Sequence, residues 1–220
     1  VAQQERAVRT RRAVLEAAAI VFGEHGYAAA TVSEILKIAG VTKGALYFHF
    51  DSKEALARGV LDAQTAYTGP PQDLKIQEWI DVGLLLAYRL PRDAVVRAGA
   101  VLSSDPLGRE QYGSAWPTWV DLSVGMLTDA KERGEILSHV VPRQTAELLV
   151  GAFHGVQLFS QLECGLADVE RRIAALYDHV VPAIAVPAVL ARLDLTPDRG
   201  ARLFAQTVSV PRPVLADSVS

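Results

Sequence analysis

The chain has 220 residues, half of them hydrophobic and 21% charged, with a formal charge of −3. That is ample material for a core, in one or two domains. A single cysteine, Cys164, excludes an internal disulfide and suits a reducing cytosol, so a cytoplasmic location is expected. The first dozen residues are polar and charged, unlike a secretory leader, and the longest apolar run, Val180 to Ala191, is too short to span a bilayer and is interrupted by Pro182 and Pro187.

The first helix is predicted over residues 5–25, with Val14, Ala18, Val21 and Phe22 on one apolar face and Leu15 beside it. Gly26 follows as its C′ residue. Upstream, Arg6, Arg9, Arg11 and Arg12 crowd the start of the chain, where they either lie along a DNA backbone or form a solvated, frayed terminus. Residues 1–53 carry seven Lys/Arg against five Asp/Glu, so the excess of acid lies in the remainder. A small basic head on an acidic body implies few, individually placed phosphate contacts.

The most informative stretch is Thr31 to Phe50, TVSEILKIAGVTKGALYFHF. Thr31 and Glu34 have the spacing of a capping box. The helix they start has Val32, Ile35, Leu36 and Ala39 on its apolar face. Gly40 permits a sharp turn, and Thr42 is placed to cap a second helix. That succession predicts a helix-turn-helix, although a helical hairpin inside a core shares the pattern. The first turn of the second helix combines a hydroxyl, a cation and no bulk (Thr42, Lys43, Gly44, Ala45), which suits close approach to base edges and phosphates. Tyr47 and His49 can donate to phosphate oxygens, while Leu46, Phe48 and Phe50 are expected to pack inward.

Beyond Phe50, Asp51 and Glu54 are predicted to be N-cap and N3 of a connecting helix through residue 66, carrying Lys53 in its first turn and Leu56, Val60, Leu61 and Gln64 further on. Pro70 and Pro71 then break the helical pattern. The expected division is a head at 1–52, the connecting helix at 51–66, a helical domain over 53–206, and a disordered tail at 207–220. Within the second domain, helices are predicted near 73–90, 92–103, 117–133, 143–163, 166–185 and 187–206. Residues 103–117 (SSDPLGREQYGSAWP), rich in Gly, Pro and Ser, form a loop that either gates a pocket or merely connects. The fold class is all-α.

No metal or catalytic constellation stands out. His25, His49, His139, His154 and His179 are scattered, and no P-loop, nucleophile elbow or dinucleotide motif is present, so an enzyme, a metal and a cofactor are not expected. His154, in an apolar helix, reads as a core histidine more readily than as a catalytic base. The segment Ala146 to Leu162 is apolar on more than one face, with Gly151 and Gly155 one turn apart, as for a helix buried on several sides.

GVTKGALYFHFDSKEALA, with the preceding AAATVSEILKIA and RTRRAVLEAAAIVFGEHGY, resembles the DNA-binding segment of the TetR family of bacterial repressors. RAGAVLS, WPTWVDL, AKERGEILSHVVP and HVVPAIAVPAVLARLDL extend the likeness to the γ-butyrolactone receptors of antibiotic-producing bacteria. The resemblance implies a ligand-responsive repressor of antibiotic-production genes, bound to a pseudo-palindromic operator in double-stranded DNA. It implies a homodimer through the helices near 143–163 and 166–185. Receptors of this kind are typically acidic, as this chain is. The implied DNA contacts are Arg9, Thr31, Thr42, Lys43, Gly44, Ala45, Tyr47, His49 and Lys53. For the lactone, the resemblance puts Trp119 over the pocket, with Trp116 nearby and Trp79 in the core. Gln64 is placed to reach a carbonyl or hydroxyl of the ligand, and Phe153, Gln157 and Ser160 share one helix face that either lines the cavity or packs. Alternatives are a repressor of the same type answering an antibiotic, butenolide or furan, or an all-helical enzyme or interaction protein.

Overall fold

The computed structural model describes residues 2–66 and 69–208, and these are helical nearly throughout. The elements are α1 (Ala2–Ala29), α2 (Val32–Ala39), α3 (Lys43–His49), α4 (Lys53–Thr65), α5 (Lys75–Arg89) and α6 (Ala94–Ser103). They continue with α7 (Arg109–Tyr112), α8 (Trp116–Glu132), α9 (Pro142–Cys164), α10 (Val169–Ile184), α11 (Pro187–Leu190) and α12 (Arg199–Val208). Among the described residues the one extended pairing is an isolated bridge between Ile136 and Ala185. No described helix is long and apolar enough to cross a membrane. Residues 209–220 of the tail expected to be disordered lie outside the described residues.

The chain forms two compact units, Val1–Tyr67 with Leu90–Trp119, and Thr68–Arg89 with Val120–Ser220. The first is built on α1, whose Val14, Ala18 and Phe22 are fully enclosed. Against it lie α2, α3, α4 and, most extensively, α6. Gly23 makes the α1–α6 approach close, since a Cβ there would stand 3.8–3.9 Å from Ala98. Gly59 of α4 does the same beneath Leu15 and Phe50, each 3.0 Å from such a Cβ. This unit therefore extends past the 1–52 head to include α6 and α7.

In the second unit α5 packs on α10 and α12, and α9 on α10. Trp79 meets Tyr177 edge-on at 5.6 Å. Asp81, 1% exposed, receives two hydrogen bonds from Arg199, whose guanidinium also reaches Asp194 at 3.1 Å. Gln77 of α5 joins this network, donating to Asp81 at 2.7 Å and accepting from the Asp194 amide at 2.8 Å.

Several boundaries differ from those expected. α1 runs on to Ala29 with an interruption at Gly26 (φ 71°). The helix expected over 187–206 is two helices, α11 and α12. Thr196 turns back onto Asp194, its amide and hydroxyl donating to the carboxylate at 3.1 and 2.6 Å, and Pro197 disfavours helical backbone at Thr196. The segment 103–117 is a packed corner containing α7: Asp105 accepts from the amides of Leu107 and Gly108, and Tyr112 is buried.

Candidate functional site

The helix-turn-helix is specified locally at each step. Thr31 accepts from the Glu34 amide at 3.2 Å while the Glu34 carboxylate accepts from the Thr31 amide at 3.2 Å and hydroxyl at 2.8 Å, a complete capping box. α2 buries Ile35 and ends at Gly40 in the left-handed region (φ 65°), whose amide donates to Leu36. Thr42 accepts from the Ala45 amide at 3.2 Å and so starts α3. Leu46 and Phe50, about one helical turn apart, point into the unit and are 0% and 5% exposed.

The opposite face of α3 is open. Thr42, Lys43, Gly44 and Tyr47 are exposed, Ala45 and His49 partly so, and a Cβ on Gly44 would meet nothing within 4 Å. Phe48, expected inward with Leu46, is instead 80% exposed. Two positions along a helix are a rotation of about 200°, so Leu46 and Phe48 cannot share a face. Lys43 stands 5.8 Å over the Tyr47 ring, Phe48 meets His49 edge-on at 5.1 Å, and Arg11 lies 5.2 Å over Phe50. Burial, with Arg11 nearby, lowers the His49 pKa and favours its neutral form. Arg6 and Arg9 of α1 line an open cleft of about 520 Å³ with Glu5, Thr10, Ala13 and Val41, the last in the turn itself.

The N-cap of α4 is Ser52, not Asp51. The Ser52 hydroxyl accepts from the Ala55 amide at 3.1 Å, which moves the helix start on by one residue. Glu54 is thereby outside the N3 place and accepts instead from the Tyr27 hydroxyl at 2.9 Å. Hydrogen bonds from Ser52, its own backbone amide and Tyr27 lower the Glu54 pKa to about 2, while burial and Glu54 push Tyr27 up to about 12. Lys53 seats its ammonium 4.5 Å over the Tyr27 ring.

The residues expected to meet a ligand fall in both units. In the first, Gln64 is 5% exposed and its Oε1 has no hydrogen-bond partner among the described residues. It lies where α4 faces α6: a Cβ on Gly99 would overlap its amide end. Trp119 is 8% exposed. Trp116 stacks with Arg109 at 4.6 Å. In the second unit Phe153 is buried, Gln157 half-buried, and the Ser160 hydroxyl donates to Asp168 at 2.7 Å, joining the end of α9 to the start of α10. Trp79 is enclosed as expected, yet its Nε1 lacks a partner among the described residues. An indole in a core carries a polar atom that periodicity does not reveal. Burial lowers the pKa of His154. No group of three or more His, Cys, Asp or Glu among the described residues is arranged to hold a metal ion.

A capped, solvent-facing second helix joined to its partner by a left-handed glycine defines a helix-turn-helix DNA-binding protein. Residues 14–60 match the bacterial regulatory proteins of the tetR family. The A-factor receptor protein of Streptomyces griseus is 40% identical over 195 residues, 87% of this chain and 70% of that one. The crystal structure of TylP, a TetR regulator from Streptomyces fradiae, superposes with a TM-score of 0.87 at 40% identity, covering 96% of this chain and 94% of that one. A γ-butyrolactone receptor described as ArpA-like gives a TM-score of 0.66 at 26% identity, covering 91% and 99%. The chain belongs to the TetR family of transcriptional regulators, and its relatives include γ-butyrolactone receptors.

Proposed function

We propose that this chain is a repressor that occupies a pseudo-palindromic operator as a homodimer and releases it on binding a lactone of the γ-butyrolactone class, so controlling genes of antibiotic production. The observation that carries the reading is the open face of α3, with Lys43, Gly44 and Tyr47 exposed opposite the buried Leu46 and Phe50. Residues 1–52, with Lys53 at the start of α4, read DNA: Thr42, Lys43, Gly44 and Ala45 approach base edges and phosphates, and Arg9, Thr31, Tyr47, His49 and Lys53 hold the backbone. Two such helices about one DNA turn apart, ~34–36 Å, fit successive major grooves.

Residues 53–206 bind the effector and form the dimer. The similar γ-butyrolactone receptor described as ArpA-like supplies the ligand class by analogy. Gln64 supports the reading from the chemistry of this chain: a buried amide oxygen with no partner among the described residues is an acceptor suited to a ligand hydroxyl. Trp119 supplies a flat apolar face and an N–H. In the second unit, Phe153, Gln157 and Ser160 are the further residues assigned to the ligand. The ligand acts by shifting α4, which carries both Lys53 and Gln64. Each tenfold loss of operator affinity requires about 1.4 kcal/mol of coupling, within reach of one small molecule.

On α9, Leu148, Leu158 and Leu162 are 64%, 47% and 77% exposed. With Gly151 and Gly155 they follow the alternating three- and four-residue spacing of a helix–helix seam. That unpaired apolar row supports dimerisation through α9 and α10.

The test is an electrophoretic shift of the DNA upstream of the chain's own gene, with and without a purified γ-butyrolactone. Retarded DNA set free by the lactone is the expected result. Retardation that persists at saturating lactone removes that effector and leaves the DNA-binding assignment intact. In parallel, Trp119→Phe, which keeps an aromatic ring in the site, should bind DNA normally and lose the lactone response.

A further inference from the structure

Lys53 is a phosphate contact in the proposed function, and the role assigned to its neighbours here rests on that reading. A lysine on a flexible stem must give up rotamer freedom to meet one phosphate. Here the stem is already held. Nζ stands 4.5 Å over the centroid of the Tyr27 ring and donates to the Ala28 carbonyl at 3.4 Å. A ring face restrains a cation without neutralising it, so the charge stays available to an anion. A carboxylate partner would compete with the phosphate.

Tyr27 is itself fixed from several directions. It follows Gly26, whose positive φ interrupts α1. Phe22 stacks on it at 5.8 Å, and Tyr112 of α7 tilts against it at 4.6 Å. Its hydroxyl holds the Glu54 carboxylate, the neighbour of Lys53 in sequence, at 2.9 Å. Tyr112 in turn has its hydroxyl 3.1 Å from the Leu102 carbonyl at the end of α6 and 3.3 Å from Asp105. Gly108 leaves room for that hydroxyl, since a Cβ there would overlap it. Arg58 of α4 donates to the Gln111 carbonyl at 3.3 Å, tying the corner to the helix that Lys53 opens.

We propose that Tyr27 is a positioning residue that aims the Lys53 ammonium at the DNA backbone, and that Tyr112 sets the tilt of the Tyr27 ring from the α6–α7 corner. The ring seats the cation while the hydroxyl occupies the adjacent carboxylate. A displacement of Tyr112 therefore reaches a phosphate contact through two aromatic rings and one ammonium group.

The experiment uses the full chain and the duplex that it selects from a random-sequence pool, with affinity followed by fluorescence anisotropy across a salt series. Lys53→Gln should reduce the log–log salt slope by about 0.9 per protomer, the amount for one phosphate contact. Tyr27→Leu should reduce it equally, with no further reduction in the double variant, whereas Tyr27→Phe, which keeps the ring but frees the Glu54 carboxylate, should reduce it only in part. Tyr112→Leu should change it in the same direction as Tyr27→Leu. With lysines dimethylated by a ¹³C reagent, the Lys53 methyl resonance should be shifted upfield by the ring and return toward the free-lysine position in Tyr27→Leu.

A wild-type slope and an unmoved Lys53 resonance in Tyr27→Leu overturn the proposal while leaving operator binding standing. Lys53→Gln without effect on the slope overturns it too. If the chain selects no duplex at all, the DNA-binding reading itself fails and takes the proposal with it. Should Tyr27→Leu not fold, the wild-type spectrum decides: an unshifted Lys53 resonance overturns the assignment, and an upfield one supports it.

Discussion

Gly99→Ala probes the contact between α4 and α6 directly. The added methyl would overlap Gln64 Oε1 and Cδ and stand 3.1 Å from Cγ, so either α6 must retreat from α4 or the Gln64 side chain must leave its place. Overpacking of this kind costs about 1–3 kcal/mol, offset by about 0.5–1 kcal/mol because alanine replaces a glycine inside α6; the net loss is up to about 2.5 kcal/mol, or up to roughly 10 °C of melting temperature in a chain of this length. Gln64→Ala alone loses packing but also removes a buried oxygen that has no partner among the described residues, so its net cost is smaller. The double variant removes the obstacle to the new methyl and should recover about 1–2 kcal/mol relative to additivity. Thermal melts of the four proteins, followed by circular dichroism, complete the cycle. Strictly additive changes across the cycle would refute the reasoning.

Lys43→Ala should weaken specific DNA binding by ~1–3 kcal/mol if it reads a guanine edge, and leave the melting temperature unchanged because the side chain is exposed; anisotropy and melting measure the two. Glu54 is held at about 2 from an ordinary 4.5 by hydrogen bonds from Ser52, its own backbone amide and Tyr27. Its stabilisation is therefore complete above pH 4.5 and lost as pH falls toward about 2, so Glu54→Gln should flatten the stability-versus-pH curve in that window. A glutamate at Leu158 or Leu162 should convert the dimer to monomer in sedimentation, and operator affinity should fall with it.

What the sequence discloses depends on how local the cause is. The capping box at Thr31, the left-handed Gly40 and the Thr42 cap are each decided by near neighbours in the chain, so two helices and a turn can be read from them directly, while the choice of a helix-turn-helix over a core hairpin rests on the resemblance and on the exposed face of α3. The inward faces of α1 and α2 follow from periodicity alone. Phe48 shows that apolar character does not by itself mean burial, because a rotation of about 200° from Leu46 turns it outward. Asp51 and Ser52 are both good caps in adjacent positions, and only the backbone decides between them. The division of the 187–206 helix has a signal in Asp194, Thr196 and Pro197.

Other features are not local. That Tyr27 meets Lys53, Glu54 and Tyr112 depends on segments far apart in the chain being brought together. Gln64 stands out by its place on α4, but the lack of a partner for its oxygen is a property of packing. The ligand reading comes through the resemblance, since no spacing of residues encodes a lactone.

The most direct test of the account is the reciprocity between the two ligands. Calorimetric titration of a γ-butyrolactone into the free protein and into its operator complex should give affinities that differ at least about tenfold, tighter for the free protein, by the same factor that the lactone weakens DNA binding. Equal lactone affinities in the two titrations would contradict it.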